Sequence, residues 1–122
     1  MDKKTIGYWI TTGLLVLPMG AGGLADLVQA ESMLESMELL GYPSYLLSIL
    51  GVAELLGLVA VLLPKTPRLK EWAYAGFTID LLGAAASHGF VGDYAGIGAP
   101  VVVLGLVLAS WWLRPDDRKL QA

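Results

Sequence analysis

Apolar residues in this chain come in four long blocks. Ile6 to Ala25 and Tyr94 to Leu113 each run twenty residues without a charge, Ser44 to Leu63 is broken by Glu54 alone, and Trp72 to Ser87 by Asp80 alone. A hydrocarbon layer of about 30 Å is crossed by about 20 helical residues. Each block therefore predicts a membrane-spanning helix, the third with help from its flanks. The expected spans are about 5–27, 44–63, 69–88 and 99–113. A soluble bundle of the same helices needs a polar face on each one, and the first and fourth blocks have none.

A different pattern stands between the first two spans. Ala30, Met33, Leu34, Met37 and Leu40 recur at helical spacing, with Glu31, Ser32, Glu35, Ser36 and Glu38 opposite. That predicts an amphipathic helix over about 30–40, lying on the outer surface or capping the bundle as a lid. Gly41 followed by Tyr42-Pro43 ends it. Pro18 is expected to kink the first span, and Gly13 and Gly20 to leave one of its faces bare for close packing. Pro64-Lys65-Thr66-Pro67 makes a rigid turn between the second and third spans. Pro100 opens the fourth, where its missing N–H matters little. Gly105 and Ala109 form a pair of small residues suited to packing in the bundle or to a homodimer. The fold class is all-α: a four-transmembrane-helix bundle with a short amphipathic surface helix, one domain over residues 1–122.

Charge adds an orientation. All eight Lys and Arg residues flank the blocks on alternate sides: Lys3 and Lys4, then Lys65, Arg68 and Lys70, then Arg114, Arg118 and Lys119. Basic residues beside membrane spans stay in the cytoplasm, so both termini are expected there. Asp26, Glu31, Glu35, Glu38 and Asp93 then fall outside. Trp9, Trp72, Trp111 and Trp112 map to the inner interface and Tyr42, Tyr45 and Tyr94 to the outer one, as anchoring rings do. The first block reads as a retained span, since the apolar region of a cleavable signal runs about 7–15 residues. The absence of cysteine excludes disulfides, thiol chemistry and thiolate-bound metal, iron–sulfur or haem sites. No basic stripe is present to grip nucleic acid.

The two charges inside blocks are the candidate chemistry. Glu54 and Asp80 lie in the middle of adjacent, oppositely directed spans, where ionisable groups are costly and mark function. Both stand on stripes of small residues: Gly51 and Gly57 for Glu54, and Gly76, Gly83, Ala84 and Ser87 for Asp80. With no base at their depth, burial and mutual repulsion favour a pair that keeps a proton. Such a pair binds a cationic amine, relays protons or works as general acid and base; the plainer reading is a hydrogen bond from each carboxyl to a neighbouring helix. His88, the sole histidine, is expected to meet Asp93 and Asp26 at an outer mouth beneath the Glu-rich helix. There it serves a divalent metal, a quinone headgroup or simply its own helix end. No metal ligand set is assigned.

Several motifs resemble the DoxX-like family of small bacterial membrane proteins. They are Gly-Tyr-Pro-x-Tyr-Leu at Gly41 to Leu46, Gly-x-x-Glu-Leu-x-Gly at Gly51 to Gly57, Leu-Pro-Lys-x-Pro at Leu63 to Pro67, and Gly-Ala-x-x-Ser-His-x-x-x-Gly-Asp at Gly83 to Asp93. Pro100 and a final apolar helix follow in order. The resemblance implies a four-helix protein of the bacterial inner membrane, with Glu54, His88 and Asp93 as the polar positions of the motif. The family takes its name from a subunit of a thiosulfate:quinone oxidoreductase, which implies a quinone cofactor and an oxidoreductase partner for some relatives. Relatives often carry His-Leu before Gly-Tyr-Pro, whereas Leu39-Leu40 stand here, so a second outer histidine is missing.

Three functions fit these residues. The first is a bundle that binds a lipophilic, quinone-like or amine-bearing molecule, as the membrane subunit of a redox system, with Glu54 and Asp80 at the pocket floor and Ser87, His88, Asp93 and Asp26 towards its mouth. The second is an enzyme that isomerises or cyclises a lipid or terpenoid, with Glu54 or Asp80 as general acid. The third is a structural partner that anchors other proteins through its glycine faces.

Overall fold

Helices form where the apolar blocks and the amphipathic stretch stand. The computed structural model describes residues 1–120, which contain helices α1 (Lys3–Leu27), α2 (Glu31–Leu40), α3 (Tyr45–Leu62), α4 (Pro67–Phe90) and α5 (Gly98–Trp112), and no strand. Asp2 caps α1 by accepting a hydrogen bond from Thr5 N–H at 2.8 Å, and that bond holds its carboxyl below the ordinary range. α1 runs unbroken through Pro18. α2 stops at Gly41, whose φ of 82° suits a residue without Cβ. The N–H groups of Gly41 and Tyr42 both close on Met37 O, at 2.9 and 3.0 Å. α4 opens on Pro67, the position a proline tolerates best.

α1 packs on α3 and α5, and α4 packs on the same two. The four long helices thus form a ring with antiparallel neighbours. Leu15 and Met19 of α1, Leu58 and Val61 of α3, Phe77 and Leu81 of α4 and Val107 of α5 fill its core. The outside is apolar as well. Leu17, Leu56, Ile79 and Val102, one from each long helix, are 64–71% exposed, a surface suited to lipid. Three helical segments among the described residues are long and apolar enough to cross a membrane: Lys3–Leu27, Tyr45–Leu62 and Tyr94–Trp112. α4 has the length, but Arg68, Lys70, Glu71 and Asp80 lower its hydropathy.

α1 and α3 approach backbone to backbone. A Cβ on Gly51 would stand 2.7 Å from Leu27 N and 2.8 Å from Gly23 O. The last residue of α1 therefore faces the interior of α3 and not its first turn, and about 9 Å of α3 continues past it. The expected bare face of α1 is used only at Gly20, where a Cβ would meet Leu58 at 3.5 Å; at Gly13, as at Gly105, it would meet nothing within 4 Å.

The end that carries both termini is closed by cations. Pro64 has no N–H to offer Ala60 O, the helical partner four residues back. Lys70 Nζ donates there instead, at 2.9 Å, and also to Leu63 O and to Thr66 Oγ1. Arg118 donates to Val61 O at 3.0 Å. These carbonyls end α3, where positive charge is favourable. Arg114 pairs with Glu71 and lies 4.8 Å from the Trp111 ring centroid, and Trp111 Nε1 donates to Glu71 at 3.0 Å. Just inside this layer, Ser110 Oγ meets Thr12 Oγ1 at 2.6 Å and Tyr74 OH at 2.8 Å.

Candidate functional site

The antiparallel register of α3 and α4 brings Gly57 against Phe77, and so sets Glu54 level with Asp80. Glu54 is 9% exposed, and its carboxyl is near enough to those of Asp80 and Asp26 to interact electrostatically with both. Asp26 is 8% exposed. It reaches Glu54 because α1 ends opposite Gly51 and helical side chains lean towards the N-terminus, which carries the carboxyl further into the bundle. The backbone of α1 leaves room: a Cβ on Gly22 would stand 3.7 Å from Glu54 Oε2.

A groove of about 430 Å³ runs down the α3–α4 seam from this level towards the termini. Small residues make it: Ala53, Gly57 and Ala60 face Ala73 and Gly76, and a Cβ on Gly76 would touch nothing. Glu54 and Asp80 are its ionisable lining residues. A second groove of about 210 Å³ runs the other way, between α3, α4 and the end of α2. Leu50, Ile79 and Asp80 line both, so Asp80 stands at their junction. Met37, Leu40 and Tyr42 cover the outer groove. Ser87 gives its proton to Gly83 O at 2.7 Å and accepts from Tyr42 OH at 2.7 Å, which ties the α2–α3 corner to α4.

His88 and Asp93 meet as expected, though not in the lining of either groove. His88 Nδ1 and Asp93 Oδ2 are 2.8 Å apart, and a Cβ on Gly96 would collide with both side chains. The pair folds the α4–α5 turn onto its own backbone, and neither residue lines either groove. The six candidate residues therefore divide in three. Asp26, Glu54 and Asp80 come together, Ser87 lines the outer groove, and His88 with Asp93 fastens the turn. No three acidic or histidine side chains among the described residues are placed to hold a metal ion.

The model of the DoxX-like family matches residues 10–110. The chain belongs to the DoxX-like family. The matched stretch of this DoxX-like protein includes all six candidate residues and helix α2. Family and apolar helices together mark a membrane protein. No curated protein and no solved structure matches the chain.

Two features of the site were not foreseen in the sequence. The partnership of Asp26 with Glu54 depends on how deep α1 is set, and only the glycines at Gly23 and Gly51 hint at that crossing. Lys70 as donor to Ala60 O was signalled by Pro64, the residue that cannot supply the bond.

Proposed function

We propose that this DoxX-like protein crosses the bacterial inner membrane four times, with both termini in the cytoplasm, and binds a lipophilic molecule between α3 and α4. The observation that carries the reading is the 430 Å³ groove, apolar along its length and tipped by Glu54 and Asp80. That volume and lining are typical of small-molecule sites, which measure about 300–1,000 Å³ and hold few polar groups. α4 serves as the fourth crossing because it completes the ring and turns Ile79 and Leu82 outward. α2, acidic on one side, lies over the outer groove. A quinone-like head accepts a hydrogen bond from a protonated carboxyl, and an amine donates to an ionised one; either fits a membrane subunit of a redox system. The test is mass spectrometry of lipophilic molecules kept through detergent purification. A compound retained by the wild-type chain and lost from Gly76→Phe, whose ring would enter the groove, supports the reading. Equal retention, or none in either protein, counts against it.

The placement of Glu54 and Asp80 at one level of the same groove favours a second reading, acid/base isomerisation or cyclisation of a lipid or terpenoid. One carboxyl would protonate a double bond and the other remove a proton from the resulting cation. Comparison of lipid extracts from cells expressing wild-type and Asp80→Asn protein tests it: a product confined to the wild type is expected, and identical extracts would dismiss it.

A further inference from the structure

We infer that the occupant of the α3–α4 groove is a lipophilic amine, with its ammonium group between Glu54 and Asp80 and its hydrocarbon along the seam. The inference rests on the groove reading above and narrows it to one class of ligand.

Donor and acceptor counting makes the case. The level of the junction holds three carboxyls, Asp26, Glu54 and Asp80, and no basic residue lines either groove among the described residues. Carboxyl oxygens are acceptor-rich and offer at most one donor each, when protonated. A quinone brings only acceptors, and would depend on whatever protons the carboxyls carry. An ammonium brings three donors and a positive charge. It alone supplies both things the site lacks.

The protein's own cations are not able to serve. Lys70 is the nearest along α4, yet its amine is held by Ala60 O, Leu63 O and Thr66 Oγ1 at the end of α3. Arg114 is paired with Glu71, and Arg118 donates to Val61 O. Glu54 is screened from solvent, and a screened carboxylate is costly unless a partner charge accompanies it. Binding of an ammonium provides that charge, while Asp80 at the junction shares it. Asp26 lies beside Glu54 without lining the groove, which makes it a positioning residue. The tail has its own place: from Asp80 back to Leu69 the groove follows α4 for about 16 Å, walled by Ala73, Gly76 and Trp72.

The experiment compares dodecylamine, dodecanol and a decyl-substituted benzoquinone by calorimetric titration into the purified full chain in a nonionic detergent. Dodecylamine is expected to bind at least about tenfold tighter than dodecanol, a difference of about 1.4 kcal/mol. The ratio should fall to near one in Glu54→Gln and in Asp80→Asn, and stay unchanged in Gly105→Ala. If Glu54→Gln does not fold, Asp80→Asn decides, because its side chain is only half-buried. Equal affinity for amine and alcohol overturns the inference, as does an amine preference that survives both amide variants. Tighter binding of the benzoquinone, abolished by Gly76→Phe, overturns the amine and leaves the groove reading standing. Failure of all three probes to bind, or binding indifferent to Gly76→Phe, removes the groove reading with it.

Discussion

Gly51 sets the separation of α1 and α3, because any Cβ there meets backbone atoms of Leu27 and Gly23 and not a side chain that can swing away. Gly51→Ala is therefore expected to cost about 1–3 kcal/mol, as overpacking does, and to lower the midpoint of thermal unfolding in detergent. Gly105→Ala, where a Cβ meets open space, should stay within about 0.5 kcal/mol. At this scale the sequence was partly readable. Glu54 and Asp80 stood out because each is the single charge in an apolar block. Asp26 did not, because it closes the first block and counting along the chain assigns it to the rim. The bond between His88 and Asp93 followed from their nearness in sequence, but its place in a turn follows from Gly96, whose missing Cβ lets the pair lie flat on the backbone.

Among the elements, the end of α3 shows how one residue's deficiency is met from the next helix. Pro64 lacks the donor and Lys70, one turn into α4, supplies it. Lys70→Met should cost about 1–3 kcal/mol, the penalty for stranding buried carbonyls, and hydrogen exchange should quicken in the last turn of α3. α2 is attached more lightly, through Met37 and through Tyr42 on Ser87. Tyr42→Phe removes that bond, so proteolysis between residues 29 and 44 is expected to speed up while the four long helices stay protected. The helices themselves were legible to within a few residues, since unbroken apolar blocks admit little else. What periodicity does not carry is offset: nothing in the apolar pattern tells how far one helix is slid along another.

For the whole molecule, the one-sided basic residues and the ring of four antiparallel helices lead to a single prediction about topology. Because the natural chain has no cysteine, one introduced thiol reports its side without ambiguity. Glu35→Cys should react with a membrane-impermeant maleimide on intact spheroplasts and Arg68→Cys only after lysis; the reverse order would invert the protein. α4 was the least legible of the long helices as a span, since it carries the charged residues Arg68, Lys70, Glu71 and Asp80 and also His88, and it owes its position to its neighbours. The offset of α1 has one more consequence. Asp2 and Lys3 begin α1 in exposed positions, and the crossing at Gly23 and Gly51 fixes its far end, so the helix from Lys3 to Asp26 works as a ruler about 35 Å long. Its length sets the depth of the carboxyl that lies beside Glu54. Adding a single residue after Val16 would turn Asp26 by about 100° and lift it towards the surface, changing the site without altering any residue that lines it.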